Sequence, residues 1–399
     1  MTGRKALFLI TAGMAILLAL LFRIFGAGSI WHAWAVPTIP PGFADLRDVL
    51  RGIDLAKAGN SSDPFGLVGG YPRIWSALGW LGIGEGGLFW AAAAVFILYW
   101  ISLFLFARNY RPLTAVLMSI IIFSPAAMLG YERGNLDLAI FALLSIALFL
   151  SQYSYIPGLG LILLTAMLKV YPIVGLAYFL RETRKKFLLW AGIGLGVFIL
   201  YAVSLGRSLK GIVEYIPKGS LFDYGAGVIG FRVYEVGFAR LQANLVMLLS
   251  FVVLYLIFVA VVYLSYRYPD EPTPSERPFL DAFRLGAAIY IGTFVQGNSF
   301  NYRLIFLLFC IPQLVVWAEA SGHMRAWARV GLVSALASCW GAMLLHVLPA
   351  DPALALDEIF NWVLFIVLCY FFIVSLPEWI RGEIDKFFKK YDRRRIPTA

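Results

Sequence analysis

Long apolar runs recur from one end of this chain to the other, and few charged residues interrupt them. Hydrophobic residues make up 61% of the sequence and charged residues only 14%, against about 25% charged residues in soluble proteins. This balance excludes a soluble globular enzyme and a disordered chain. The longer runs can each cross a hydrocarbon core of about 30 Å as a helix. We therefore predict an all-α integral membrane protein, a polytopic bundle of about 12 transmembrane segments (10–13) that forms a single domain over residues 1–399.

The apolar runs give the positions of these segments. They cover residues 6–25, 88–106, 112–129, 136–150, 156–168, 173–180, 187–205, 243–266, 282–295, 304–318, 330–347 and 359–376. We expect the first of them to stay attached as an uncleaved helix, although the small residues at 26–29 leave cleavage open.

Basic residues fix the expected orientation, because short cytoplasmic loops carry an excess of lysine and arginine. Both termini, including the basic tail 378–399, are then cytoplasmic, and the loops 26–87 and 206–240 lie outside a plasma or inner membrane. The cluster 181–186 stays inside only if the chain runs out and back between residues 156 and 180. Pro172 disfavours a continuous helix there. A break at membrane depth is tolerated where it lines a cavity, so this one hints at function.

The first outer loop contains a helical pattern of its own. Leu46, Val49, Leu50 and Ile53 follow the spacing of one helix face, which predicts a short amphipathic helix lying on the membrane surface. Asp45 falls in its first turn, where the helix dipole favours an ionised carboxylate. The alternative is that Asp45 only caps the helix.

Charged and polar side chains gather in three turns that this topology places outside. The turns carry Glu132, Arg133, Asn135 and Asp137; Lys169; and Asn301, Tyr302 and Arg303. Charge beside apolar segments is costly, so it needs a reason. Snorkelling or helix capping explains any one residue. Three turns on the same side favour an anionic ligand, and a phosphate suits the cations well.

Other classes of partner have less support. The net charge of +10 lies largely in short loops and in the tail, where it sets orientation and meets anionic headgroups, so nucleic acid is not an expected partner. The sequence has no His, Cys or carboxylate spacing typical of a structural metal site, and we predict no cofactor. A divalent cation at the phosphate stays open.

Three of these motifs together resemble the GT-C membrane glycosyltransferases, most closely glycosyltransferase family 87. Asp45 and the following step at residues 59–65 are similar to the family's Asp-containing helix ended by a Gly…Pro-aromatic step. The Arg-Gly-Asn-Leu-Asp turn at residues 133–137 resembles its Gly-Asn/Gln turn, and Lys-Val-Tyr-Pro at residues 169–172 resembles its Lys-x-x-Pro break. One departure is that Asn301, Tyr302 and Arg303 stand where many members carry a pair of histidines.

The resemblance implies an inverting glycosyltransferase. Such an enzyme moves a sugar, here mannose or a similar hexose or pentose, from a polyprenyl-phosphate donor to a hydroxyl of a lipid or glycan acceptor at the outer face. A phosphate departs as an anion, so one carboxylate base suffices. We expect Asp45 as the base with Asp48 as its substitute, and Lys169, Arg303 and Arg133 as the groups that bind the donor phosphate.

The resemblance and the outer turns also imply contacts to the sugar or the acceptor. The expected residues are Glu132, Asn135, Asp137, Tyr171, Asn301, Tyr302 and His346. Further candidates for shaping the acceptor site, in the second outer loop, are Asp223, Tyr224, Arg232 and Glu235.

Other functions remain alternatives. A transporter or flippase of a lipid-linked saccharide uses broken helices and membrane-depth charges equally well, although the sequence has no duplicated halves. A surface-polysaccharide polymerase or ligase would use a pyrophosphate-linked donor, and its large outer loop would want more arginines. A non-catalytic membrane scaffold is the last alternative.

Overall fold

The computed structural model shows a bundle of helices in which one pair of two-residue strands is found among the described residues. The structure describes residues 2–59, 67–68, 70–105, 111–206, 208, 210–212, 219, 221–267 and 277–392. The Asp-Pro-Phe step at residues 63–65 and the end of the basic tail lie outside these ranges.

Sixteen helices are described below by their order along the chain. They are α1 (Gly3–Phe25), α2 (Ala27–Ala33), α3 (Ala44–Lys57), α4 (Leu88–Ser102), α5 (Pro112–Ile122), α6 (Pro125–Arg133), α7 (Asp137–Leu150), α8 (Tyr155–Lys169), α9 (Arg184–Leu205), α10 (Val228–Glu235), α11 (Arg240–Arg267), α12 (Arg277–Val295), α13 (Ile311–Ala318), α14 (Gly322–Trp340), α15 (Ala350–Val374) and α16 (Glu378–Asp392).

Five tighter 3-10 segments connect these helices. They are Arg73–Leu81, Glu85–Gly87, Tyr171–Arg181, Asn301–Phe309 and Gly341–His346. The strands β1 (Asp223–Tyr224) and β2 (Ser299–Phe300) pair antiparallel, with Asp223 opposite Phe300 and Tyr224 opposite Ser299. This pairing joins the segment around residues 221–224 to the turn that precedes residue 301.

Helix length and composition agree with an all-α membrane protein. Among the described residues, seven helices are long and apolar enough to cross a membrane, and the number rises to nine if each of two bent pairs is one span. Two further apolar helices, α7 and α8, are shorter. The count of about 12 segments therefore stays a prediction.

Two of the predicted runs divide in the structure. Run 112–129 becomes α5 and α6, bent by 52°, and run 304–318 becomes the 3-10 segment Asn301–Phe309 and α13, bent by 58°. Pro125 and Pro312 lie in the first turn of the second member of each pair. Proline has no N–H and its ring clashes with the preceding turn, so the first helix of each pair ends before it.

The helices differ in how much protein surrounds them. In the most apolar window of α12, 72% of the residues are buried, and in that of α15 the figure is 67%, whereas α9 and α11 reach only 11% and 6%. A helix that is apolar all round and buried lies inside a bundle, and one that is apolar and uncovered faces lipid. The core is therefore built on α12 and α15, with α9 and α11 at the periphery.

Helix α3 forms where the heptad-like spacing predicts it, but its apolar side contacts protein. Leu46, Val49, Leu50 and Ile53 are all buried, and they pack in a cluster with Trp75 of the segment Arg73–Leu81. The apolar face of α3, which the sequence predicts to lie against lipid, is thus buried against protein. A position of α3 at the membrane surface stays a prediction.

The predicted break between two short helical segments is confirmed. Helix α8 ends at Lys169, and the 3-10 segment begins at Tyr171. Between them Val170 has a φ of +54°, a region that a β-branched residue rarely enters. The indole N–H of Trp75 donates to the Leu168 carbonyl at 3.1 Å, so the segment Arg73–Leu81 satisfies one of the carbonyls in the last turn of α8.

Candidate functional site

A cavity of about 270 Å³ lies where several parts of the chain meet, among them the first turns of α3, the end of α6, the break after α8 and the 3-10 segment Asn301–Phe309. These four parts contribute polar and charged side chains to its wall, which are Asp45, Asp48, Arg133, Lys169, Tyr302 and Arg303. Both carboxylates that the sequence proposes as a base, and all three cations that it proposes for a phosphate, therefore border one cavity.

Asp45 is held by a hydrogen bond from the side-chain amide of Asn135 to its Oδ2 atom. On its other side, the Arg133 Nη1 atom lies 4.0 Å from Oδ1. The Asp45 side chain keeps 23% of its surface exposed, so it borders the cavity without being sealed off. Burial raises the pKa of Asp45 above its ordinary value, and the Asn135 hydrogen bond and the charges of Lys169 and Arg133 act against that rise.

The structure does not support the alternative that the Asp45 side chain caps the start of α3. The residue that precedes the helix is Phe43, and no side chain caps the helix start. Asp45 lies one residue inside, and its carboxylate points to Asn135 and Arg133. Its carboxylate is thus free of any N-cap role.

Asn135 contacts both parts of the site. Its Oδ1 atom accepts from the Lys169 Nζ at 3.0 Å and from the backbone N–H of Asp137 at 2.9 Å, while its amide donates to Asp45. The backbone N–H of Asp137 is one of the orphan donors at the start of α7. Leu136 directly precedes the helix, and Asn135 satisfies this donor from one residue further upstream. The same side chain nonetheless links Asp45 to Lys169.

Asp137 is the centre of a second, buried cluster. Its Oδ1 atom lies 2.7 Å from the Lys169 Nζ and 2.7 Å from the Tyr171 hydroxyl, which donates to it. The Arg303 Nε lies 3.6 Å from Oδ2. Asp137 is 1% exposed, so this carboxylate serves to hold two cations and a tyrosine rather than to contact solvent.

Aromatic rings flank both of these cations. The Lys169 Nζ lies 5.4 Å from the ring centroid of Tyr302 and 5.5 Å from that of Tyr71. The guanidinium of Arg303 lies 4.8 Å from the ring centroid of Tyr171. Ring faces attract cations and exclude water from them, which fixes where the positive charge sits.

Arg303 depends on the strand pair for its position. Its Nη1 atom donates to the Ser299 hydroxyl of β2 at 2.9 Å. The backbone N–H of Asn301 donates to the Phe222 carbonyl at 2.8 Å, next to β1. The segment that contains β1 is thereby part of the wall that carries Arg303.

The remaining predicted contact residues lie in different places. Glu132 is buried, accepts from the backbone N–H of Ile39 at 3.0 Å and lies 3.4 Å from the Arg133 Nε, so it anchors the chain that leads into α3. Asn301 is buried beside β1. His346 is exposed, and its ring packs edge-on against His32 with centroids 5.4 Å apart. The structure thus places His346 with His32 and not with the residues that border the cavity described here.

Sequence reasoning missed Tyr71, which lines the cavity and faces Lys169. Tyr71 and Val68 exchange backbone hydrogen bonds of 2.9 and 3.0 Å across a tight turn. Burial raises the pKa of Tyr71 well above its ordinary value, so the ring acts as a neutral wall. The Gly-Gly pair at residues 69–70 predicts such a turn, but no sequence pattern shows that the turn lies against Lys169.

In the part of the chain that the structure describes, no three His, Cys, Asp or Glu side chains come together as metal ligands.

Known proteins give no family for this chain. Comparison of the chain with models of protein families, with curated proteins and with solved structures finds no match.

Proposed function

We propose that this protein is an inverting membrane glycosyltransferase. It moves a sugar from a polyprenyl-phosphate donor to a hydroxyl of a lipid or glycan acceptor. The observation that carries the proposal is one partly exposed carboxylate, Asp45, bordering the same small cavity as Arg133, Lys169 and Arg303. The similarity of the three sequence motifs to GT-C family 87 adds to it.

In the proposed reaction Asp45 takes the proton of the acceptor hydroxyl as its oxygen attacks the anomeric carbon of the donor sugar. The bond between that carbon and the phosphate oxygen breaks from the opposite side, so the anomeric configuration inverts. Polyprenyl phosphate leaves with the bonding electrons. Lys169, Arg303 and Arg133 stabilise its additional negative charge, and no acid is needed for the leaving group.

The raised pKa of Asp45 is compatible with this role. A general base works best with a pKa closer to the operating pH than that of a free aspartate. Burial moves Asp45 in that direction, while Asn135 and the nearby cations keep it ionisable.

The proposal includes a finer topology. About 12 segments cross a plasma or inner membrane, the termini and the helix α16 lie in the cytoplasm, and the cavity faces the outside. Three things support it: the alternation of basic loops, the broken pair α8 and Tyr171–Arg181, and the gathering of the outer-turn residues at one cavity.

The test uses the purified full chain in vesicles. A polyprenyl-phosphate hexose with a labelled sugar is supplied together with extracted envelope lipids and glycans as acceptors. We expect label to appear in a product of opposite anomeric configuration and polyprenyl phosphate to be released in equal amount. Movement of the intact donor between leaflets without release of polyprenyl phosphate would instead favour the transporter alternative.

A further inference from the structure

A second cavity, of about 730 Å³, is a groove between α1 and the end of α4. It runs along α1 from Arg4 to Ala15 and along the other helix from Trp100 to Leu105, and we call it the α1–α4 groove. Helix α1 packs against α5, whereas α4 packs against α7. Among the residues that the structure describes, none lines both this groove and the cavity of Asp45, so the two are separate sites.

The wall of the α1–α4 groove is apolar along most of its length. Phe8, Leu9 and Ile101 line it and each keep more than half of their surface exposed, so the groove opens to the side. The hydroxyl of Thr11 already donates to the Leu7 carbonyl at 2.7 Å. Both α1 and α4 belong to helices that are long and apolar enough to cross a membrane. In a membrane, acyl chains cover such a surface.

The length of the groove matches the depth of one lipid leaflet. From Lys5 to Ala15 helix α1 rises about 15 Å, and half of a hydrocarbon core of about 30 Å is the same length. The acyl chains of one lipid can therefore follow the groove along α1 while its headgroup lies at the start of the helix.

The charged side chains of the groove lie at that end alone. Arg4 and Lys5 line it and are exposed. The first turn of α1 has no acidic residue, and in the described part of the chain neither cation forms an ion pair. The positive end of the helix dipole adds to these two charges. Basic groups at the end of an apolar cleft between membrane helices suit an anionic headgroup.

We propose that the α1–α4 groove binds one molecule of an anionic glycerophospholipid. Its phosphate lies between Arg4 and Lys5, and its acyl chains lie along the apolar wall towards Ala15. A zwitterionic phospholipid brings a cation of its own to the same two cations, so the site selects lipids by the charge of the headgroup. This binding does not depend on the glycosyltransferase reaction proposed above.

The test counts the lipid molecules bound to the purified full chain in a non-ionic detergent, by mass spectrometry under non-denaturing conditions. The probes are phosphatidylglycerol and phosphatidylcholine with the same acyl chains. We expect one phosphatidylglycerol to bind, with a preference over phosphatidylcholine on the order of tenfold, as two basic side chains beside an anionic headgroup imply. The Arg4→Gln/Lys5→Gln variant should bind both lipids equally. The Ala12→Phe variant, which fills the groove and keeps both cations, should lower the occupancy by phosphatidylglycerol.

Arg184 and Lys185 provide the matched control. They are two exposed cations in the first turn of α9, which also has no acidic residue in that turn, and they do not line the groove. The Arg184→Gln/Lys185→Gln variant should therefore keep the preference of the wild type. Loss of the preference in this control, or its survival in Arg4→Gln/Lys5→Gln, would overturn the proposal.

Two further outcomes would also contradict the site. Unchanged occupancy in Ala12→Phe would show that the lipid is held by surface charge and not by the groove. Displacement of the bound phosphatidylglycerol by an equal amount of polyprenyl phosphate would overturn the choice of a glycerophospholipid. Sugar transfer enters none of these measurements, so the proposed function and this site can fail separately.

Discussion

At the scale of single residues, Asn135 connects the proposed base, Asp45, with one of the proposed phosphate-binding cations, Lys169. One amide group donates to Asp45, and the oxygen on the same carbon accepts from Lys169 at 3.0 Å. Asn135 is fully buried, so these contacts do not compete with water. Hydrogen bonds in which one partner is charged contribute about 1.5–3 kcal/mol each, more than neutral ones.

The Asn135→Ala variant tests this relation through the pH profile. Burial already raises the pKa of Asp45, and loss of the Asn135 hydrogen bond removes a contribution that lowers it. A general base is active when ionised, so activity disappears as the pH falls through its pKa. We expect the acid limb of kcat to move to higher pH, with a lower kcat at the optimum. The measurement is the sugar-transfer rate from pH 5 to pH 9. An acid limb that stays in place while activity falls equally at every pH would contradict a link between Asn135 and the base.

At the scale of elements, the turn between α6 and α7 holds the first turn of α3 in place. Gly134 ends α6 with a φ of +57°, and the Asn135 N–H donates back to the Gly130 carbonyl at 2.9 Å. A Cβ atom at Gly134 would lie 3.1 Å from the Cβ of Phe43 and 3.2 Å from that of Leu46. The helix that carries Asp45 therefore approaches this turn as closely as a glycine permits.

The Gly134→Ala variant should thus lose both stability and activity. A left-handed alanine is unfavourable, and its methyl group would push α3 away from the turn. We expect about 2 kcal/mol less free energy of unfolding in mixed micelles, with a matching loss of sugar transfer. The control is Gly160→Ala, at an open position inside α8, where alanine should be neutral or slightly stabilising. Equal stability of the two variants would contradict the close approach of α3.

Some of this arrangement can be predicted from the sequence because its signals are local. Pro172 predicts the end of α8, and the spacing of Leu46, Val49, Leu50 and Ile53 predicts α3. Charge is rare in so apolar a chain, which makes the polar residues of the three turns stand out in the sequence. Half of them, Arg133, Lys169, Tyr302 and Arg303, line one cavity. Pro125 and Pro312 are local sequence signals for the two bends as well. Apolar composition, which locates the runs, does not by itself show where a run divides into two helices.

Other parts could not be predicted because they depend on contacts between distant residues. The two-residue strands β1 and β2 are too short to leave a periodic pattern, and their pairing joins Asp223 to Phe300, which is distant in the sequence. The packing of Trp75 against the apolar face of α3 likewise depends on a tertiary contact between residues that are distant in the sequence. The helix α16, in a segment interpreted only as a basic tail, is held by a hydrogen bond from Trp379 to the Glu182 carbonyl at 3.1 Å.

At the scale of the whole molecule, two groups of largely buried ion pairs lie at the two ends of the segment Tyr171–Arg181. Tyr171 joins the Asp137 cluster at one end, while at the other Arg181 lies 2.9 Å from Asp281 and 3.2 Å from Glu182. Eleven residues of 3-10 helix span about 20 Å, roughly two thirds of the hydrocarbon core. The separation suits one group near each membrane surface, which is what the proposed orientation requires.

Labelling of introduced cysteines tests that orientation. The native residues Cys310, Cys339 and Cys369 are all buried, so an impermeant thiol reagent should leave the wild type unlabelled. We expect the Arg51→Cys variant, at an exposed position of α3, to be labelled in intact cells. The Lys185→Cys variant, exposed at the start of α9, should be labelled only after the membrane is opened. Labelling of the second variant in intact cells would place both charge groups on the wrong sides.

The most direct test of the proposed function compares two aspartates of one helix. Asp45 borders the cavity, whereas Asp54 of the same α3 accepts from the Glu85 N–H at 2.7 Å, away from the cations of the cavity. The measurement is kcat for transfer of labelled sugar from a polyprenyl-phosphate hexose. Asp45→Asn should lower kcat by about 10²- to 10⁴-fold, the contribution of a general base, with donor binding retained, and Asp54→Asn should leave kcat within about twofold. Equal transfer by the wild type and Asp45→Asn would contradict the assignment of Asp45 as the base.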